Sequence, residues 1–342
     1  MTKKRALSSL TLSGIVLAAG ATLLGSSALP GRPQAPHGLN ILVMGTDGRS
    51  TITAEEKRKF YAGGVACECA DMLMLVHLSA RRDRVSVVSL PRDSLSELPP
   101  YRDEATGQER PPRPVKLNGA YAVGGAALTV HTVEAMTGVR VDRYLQVDFR
   151  RFIDTVNQVG GVEVCTPRTL KDEATKLHLK PGKHRLRGGP ALQYVRSRKV
   201  DRAADLGRIQ RQQRFLLQAL RGTKASGLLT DPVAMGRVAG TLLGAPRVDQ
   251  GIGARELVEL AAALKRVPAK STEFATVPIA GFNPVREGVG STLAWDWPKA
   301  RAMFKKLRED RPLLKADARP RPYDPPRMTK SVTVRGSAYA CK

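Results

Sequence analysis

The sequence is poor in the residues and spacings that most metal and hydrolase sites need. Among 342 residues there are five histidines, and His37, His77, His131, His178 and His184 are scattered rather than spaced as a ligand set. Four cysteines include a single C-x-C with no second Cys or His pair nearby, which argues against structural zinc. No Walker A loop, G-x-S-x-G elbow or H-E-x-x-H helix occurs, so several nucleotide-triphosphatase and hydrolase readings fall away. Helix-turn-helix spacing, zinc fingers and internal repeats are missing as well. Acidic residues are outnumbered, with 31 Asp and Glu against 56 Lys and Arg and a net charge of +25. Such a balance predicts anionic company: nucleic acid, acidic headgroups or a phosphate-rich substrate.

The N-terminus separates these. Lys3, Lys4 and Arg5 precede an uncharged run from Ala6 to Leu29, long enough at about 1.5 Å per residue to cross a hydrocarbon core of about 30 Å. The positive-inside rule keeps the basic end in the cytoplasm and exports everything after Pro30. A cleavable signal peptide, with Ser26, Ser27 and Ala28 at its small-residue site, is the competing reading. Either one places the body outside the membrane, away from chromosomal DNA. Cys67, Cys69, Cys165 and Cys341 fit an oxidising compartment. Cys67 and Cys69 are close in sequence, so one of them is expected to reach Cys165.

A linker over 31–38 leads into apolar runs at Ile41–Met44, Met72–Leu78 and Val85–Leu90, each bounded by Gly, Pro or charge. They are continuous rather than alternating, as in strands covered on both faces. Tyr144–Phe149 and Val162–Val164 complete the expected sheet. Helical spacing runs through Ala120–Met136, Phe152–Val159, Leu206–Leu220, Leu228–Lys265 and Ala300–Leu307, and Phe274–Ile279 reads as a closing strand. Interleaving of this kind predicts an α/β fold with helices on both faces of a central sheet. The proline-rich basic stretch 312–342 is expected to be mobile.

Seven basic residues (Arg196, Arg198, Lys199, Arg202, Arg208, Arg211, Arg214) crowd against Asp201 and Asp205. Guanidinium forks fit phosphate oxygens bidentately, so this density suits a pyrophosphate site, although an exposed basic face is the plainer alternative. Asp47 and Arg49 in GTDGR, Asp71 in CADMLML, and Arg92 with Asp93 in SLPRDS fall at strand ends. They meet at one crevice only if the second strand runs antiparallel to its neighbours, which a turn at Arg81–Arg84 permits. Two carboxylates beside several Arg would let Mg2+ bridge a pyrophosphate.

GTDGR, ADMLMLVHLS, SLPRDS, KLNGAYAVGG, FIDTVNQVGGVEV and ALQYVRSR followed by DLGRIQRQQ, in that order, resemble the LytR-CpsA-Psr family from about Asn40 to Leu220, and TVPIAG resembles its closing strand. The resemblance implies a three-layer domain with a mixed sheet: 1–30 a basic stub and transmembrane signal anchor, 31–38 a linker, 39–311 the extracytoplasmic catalytic domain, 312–342 a tail. It implies a Mg2+-assisted phosphotransferase that moves a glycopolymer from a polyprenyl-pyrophosphate carrier onto a peptidoglycan hydroxyl at the cell membrane, with no role for nucleic acid. By motif, Asp47 and Asp71 correspond to the Mg2+ carboxylates. Arg92, Arg196, Arg198, Arg208 and Gln212, with Arg49 as a further contact, correspond to the pyrophosphate set. Asp71 and Asp93 are candidate acceptors of the attacking hydroxyl's proton. A prenyl-pyrophosphate hydrolase and a non-enzymatic binder of anionic polymer are the alternatives. Cys69 stands where many members have Arg, and Arg81 or Arg113 is the expected replacement.

Overall fold

The computed structural model describes residues 38–64, 67–103, 105–200, 204–228, 231–244, 251–315, 333–339 and 341. The expected membrane run, and the linker apart from Gly38, lie outside these. No helix among the described residues is long and apolar enough to cross a membrane.

The hydrophobic runs become β1 (Leu39–Thr46), β2 (Ala70–Leu78) and β3 (Val85–Leu90). β2 is antiparallel to both neighbours, and a tight turn held by Ser79 N donating to the Arg84 carbonyl makes the second reversal. Parallel strands flank the trio: Arg143–Val147 beside β1 and Thr272–Thr276 beside β3. The resulting mixed sheet has six strands, with Val334–Arg335 at its edge.

Eight α-helices are described: α1 (Ala54–Lys59), α2 (Gly119–Thr137), α3 (Phe149–Gln158), α4 (Gly188–Arg196), α5 (Ala204–Ala225), α6 (Pro232–Leu243), α7 (Ala254–Arg266) and α8 (Trp297–Arg308). Because side chains alternate across a strand, Leu73, Leu75, Val88 and Leu90 enter one layer with Val130 and Val133 of α2 and Phe304 and Leu307 of α8. Met74, Leu78, Val85 and Val87 enter the other with Leu217 of α5 and Ala263 of α7. Each such side chain contributes about 1.5–3 kcal/mol when fully buried. The expected helices on both faces are thus present.

Three expectations change. Val162–Val164 belongs not to the main sheet but to a strand, Val162–Thr166, paired with Gly182–Leu186. Its apolar side packs with α3, α4 and Phe215 of α5 in a core of their own, which draws it away from β1. The tail is not wholly mobile: Val334 pairs with Phe274, the Tyr339 ring lies 5.4 Å from the Phe274 ring, and the Tyr339 hydroxyl bonds Gln213 Oε1 at 3.0 Å. Finally, the disulfides join Cys67 to Cys69 and Cys165 to Cys341. The Cα atoms of Cys67 and Cys69 are 5.1 Å apart, inside the ordinary bridging range, because Glu68 between them turns the chain at φ +47. Folding of the tail over α5 is what carries Cys341 to Cys165.

Candidate active site

Strand directions decide which ends meet. β1 runs up to Thr46 and β2 starts opposite it, with Gly45 facing Met72 and a bulge before Thr46. Leu73 faces Leu90, so β3 ends at the same rim. Asp47, Asp71, Arg92 and Asp93 therefore stand together at one edge, as the antiparallel second strand requires.

Arg92 is the hub. It hydrogen-bonds Asp71 Oδ1 through Nη1, and its Nε lies 3.5 Å from Asp93, which Lys116 Nζ approaches at 3.4 Å. Burial alone would raise the Asp71 carboxyl, but Arg92, Arg208 and Arg198 outweigh it and hold the group below the usual carboxylate range. Asp71 is therefore ionised at neutral pH. Asp47, 2% exposed, accepts from Arg49 Nε at 2.6 Å, and the Arg49 Nη1 caps the Gly63 carbonyl.

The helical side of the crevice comes from the end of α4 and the start of α5. Arg196 closes α4, its guanidinium 4.9 Å from the Phe149 ring, and Nη1 donates to the Tyr61 carbonyl at 3.3 Å. Arg198 follows in a loop pinned by Asp172, whose Oδ2 accepts from the Arg198 and Lys199 backbone N–H at 2.7 and 2.8 Å. Asp205, in the first turn of α5, pairs with Arg208 at 2.9 Å and Arg198 at 3.4 Å. Arg208 is only 3% exposed, and its buried Nε has no hydrogen-bond partner among the described residues. Burial, with Arg198 and Arg92 adding like charge, pushes it down to about 10. Arg196 is likewise lowered by burial and by Arg49. Cations that suppress one another in a half-dry crevice are stabilised by an added anion, and phosphate oxygens are the natural one for guanidinium forks.

Most of the sequence-predicted residues thus converge. Gln212 is turned instead toward α4, donating to the Val195 carbonyl at 3.1 Å, so it braces the two helices. Arg81 is 83% exposed and paired with Asp83 on the β2–β3 turn, at the opposite end of β2 from Asp71, while Arg113 is exposed on an outer hairpin; neither supplies the missing guanidinium. Arg49 is the additional one at this corner. Sequence reasoning missed Asp172, a lone Asp in a charged stretch, and Asn118, whose Nδ2 lies 3.7 Å from Cys69 Sγ and whose N–H donates to the Arg92 carbonyl at 3.0 Å. The KLNG motif was the available signal for Asn118.

The LytR_cpsA_psr family profile matches residues 25–309. The chain belongs to this family. A probable cell wall biosynthesis protein, LcpB of Corynebacterium glutamicum, is 31% identical over 272 residues, covering 79% of this chain and 61% of its own length. TagV of Bacillus subtilis strain 168, a polyisoprenyl-teichoic acid–peptidoglycan teichoic acid transferase, is 36% identical over 152 residues, 43% of this chain and 37% of its own. The chain therefore spans less than two thirds of either relative. The crystal structure of TagV matches with a TM-score of 0.61 at 24% identity, over 81% of this chain and 98% of that one. A LytR-CPS2A-psr protein, YwtF (TagT), solved with octaprenyl pyrophosphate lipid bound, matches at 0.56 and 22%, over 84% and 96%. These likenesses establish the fold as that of the family.

Proposed function

We propose that the chain is a membrane-anchored, extracytoplasmic phosphotransferase that moves a glycopolymer from a polyprenyl-pyrophosphate carrier onto a peptidoglycan hydroxyl. The observation that carries this is the convergence of Arg49, Arg92, Arg196, Arg198 and Arg208 with Asp47 and Asp71 on one rim. The relatives' names and the pyrophosphate lipid bound by TagT support the same substrate class, and two disulfides suit an exported domain.

In this reading the Arg forks bind the diphosphate oxygens and offset the charge that gathers on the leaving group. The acceptor oxygen attacks the glycan-proximal phosphorus, the P–O–P bridge breaks, and polyprenyl phosphate departs. Asp71, ionised and beside Arg92, accepts the hydroxyl proton, with Asp93 the neighbouring alternative. Asp47 and Asp71 fit a hard divalent cation in donor type, both being carboxylates at the crevice, and Mg2+ there would supply charge neutralisation to the phosphates. Asp172 positions the helical side, and Gln212 braces α4 against α5 through the Val195 carbonyl.

The same helix that carries Arg208 lines an apolar cavity of about 380 Å³ further along, among Val85, Leu217, Leu220, Leu264 and Val267, with Arg221 and Lys265 also in its wall. It suits part of a prenyl chain. Incubating the protein with a glycopolymer on prenyl pyrophosphate and with peptidoglycan should attach sugar covalently to the peptidoglycan. Release of free polymer alone would show a hydrolase, and binding without turnover a polymer-binding protein.

A further inference from the structure

A disulfide sits between the two carboxylates. Cys67 Sγ is 3.7 Å from Asp47 Oδ2, and Cys69 Sγ is 3.9 Å from Asp71 Oδ1. The two sulfurs and an Asp71 oxygen all lie within 4.8 Å of one another. Cys67 is exposed, whereas Cys69 is only 4% exposed. Thiolates, not disulfide sulfurs, ligate metals. A tetrahedral Zn2+ with Zn–S near 2.3 Å and Zn–O near 2.1 Å sets neighbouring ligands roughly 3.5–3.8 Å apart. The Cys69–Asp71 separation is close to that size, and the two sulfurs, bonded to each other in the disulfide, have to move apart on reduction to reach it.

We propose that reduction of Cys67–Cys69 converts this corner into a soft-cation site, in which the Cys67 and Cys69 thiolates and the Asp71 carboxylate hold Zn2+ with Asp47 on the far side. The consequence for turnover rests on the transferase reading: zinc there draws Asp71 from Arg92 and displaces a hard cation, switching the enzyme off. The metal binding itself does not rest on it.

The chemistry balances with a dithiol as reductant. Its thiolate attacks the exposed Cys67 sulfur, the S–S bond breaks, and the electron pair leaves on Cys69, which takes a proton. The second reductant sulfur then attacks the mixed disulfide, leaving as a cyclic disulfide and freeing Cys67 as a thiol. The protein gains two electrons and two protons, and metal binding releases both protons. The bridge spans a sequence separation of only two, so little of the fold depends on it. Cys165–Cys341, by contrast, is half-buried at both ends.

Co2+ serves as the probe, added to the full chain after reduction with dithiothreitol and anaerobic desalting. A thiolate-to-cobalt charge-transfer band should appear in the reduced protein, be erased by Zn2+, and be absent from the oxidised one. Cys67→Ser/Cys69→Ser, which retains Cys165 and Cys341, should lose the band. Its absence from the reduced wild type, or an equal band in the double variant, overturns the proposal. So does peptide mapping in which alkylation reaches Cys165 and Cys341 before Cys67 and Cys69, a readout that needs no variant to fold. Zn2+ should abolish transfer by the reduced form only. If neither form transfers polymer, the enzymatic reading fails while the cobalt band still decides the site.

Discussion

Single side chains in the crevice separate a built phosphate site from a diffuse basic patch. Arg198→Lys keeps the charge and loses the fork, so turnover should fall roughly tenfold or more while circular dichroism stays native; a diffuse patch would barely notice. Asp71→Asn should cost roughly 10²–10⁴ in rate if it takes the proton. The pH profile follows from the two perturbed groups. Asp71 has its carboxyl lowered in the fold, so its charge persists below the ordinary Asp value of about 3.9 and is lost only as pH falls through the lowered one. Arg208, near 10, loses its charge as pH rises through that value. Turnover should therefore fall only in strong acid as Asp71 protonates, and binding of prenyl pyrophosphate should weaken above about pH 10 as Arg208 loses its charge; an alkaline limb near neutrality would contradict the geometry. At this scale the sequence was legible where motifs fall at strand ends. It was silent on Asp172, because backbone N–H acceptance has no sequence pattern.

Elements matter through how they aim these groups. Gly189, in the first turn of α4, leaves no room for a methyl group: a Cβ there would meet the Phe60 ring at 1.9 Å. Gly189→Ala should cost about 1–3 kcal/mol by overpacking and shift the helix that ends in Arg196. Lower denaturation midpoints and reduced turnover together would check it. In α2, Gly124 and Gly125, the latter at φ +58, break the helix after Val123, which accounts for the paired glycines of the KLNGAYAVGG stretch. Periodicity located α3, α5 and α8 because each buries an apolar stripe, whereas α2, apolar nearly all round, showed as a run of small and apolar residues ahead of Gly138. It could not assign Val162–Thr166 to its own two-stranded sheet, since the same short apolar run suits either partner until packing against Phe215 is known.

Across the whole molecule, the tail acts as a fastener. Cys165 and Cys341 are 176 positions apart, and cross-linking so long a loop is worth roughly 2–5 kcal/mol through restriction of the unfolded chain. Cys165→Ala should lower unfolding stability by about that amount, and it should expose the Tyr339 segment to proteases. Unchanged stability would show that packing of Tyr339 on Phe274 suffices alone. The sequence by itself determined the alternation of strands and helices, the cationic excess and the motifs at strand ends, because hydrophobic period and residue chemistry are local properties. Only the tertiary structure decided which cysteines pair, that the tail completes the sheet edge, and that Arg208 is driven into a dry corner beside Arg92 and Arg198, because these depend on which distant segments the folding core brings into contact.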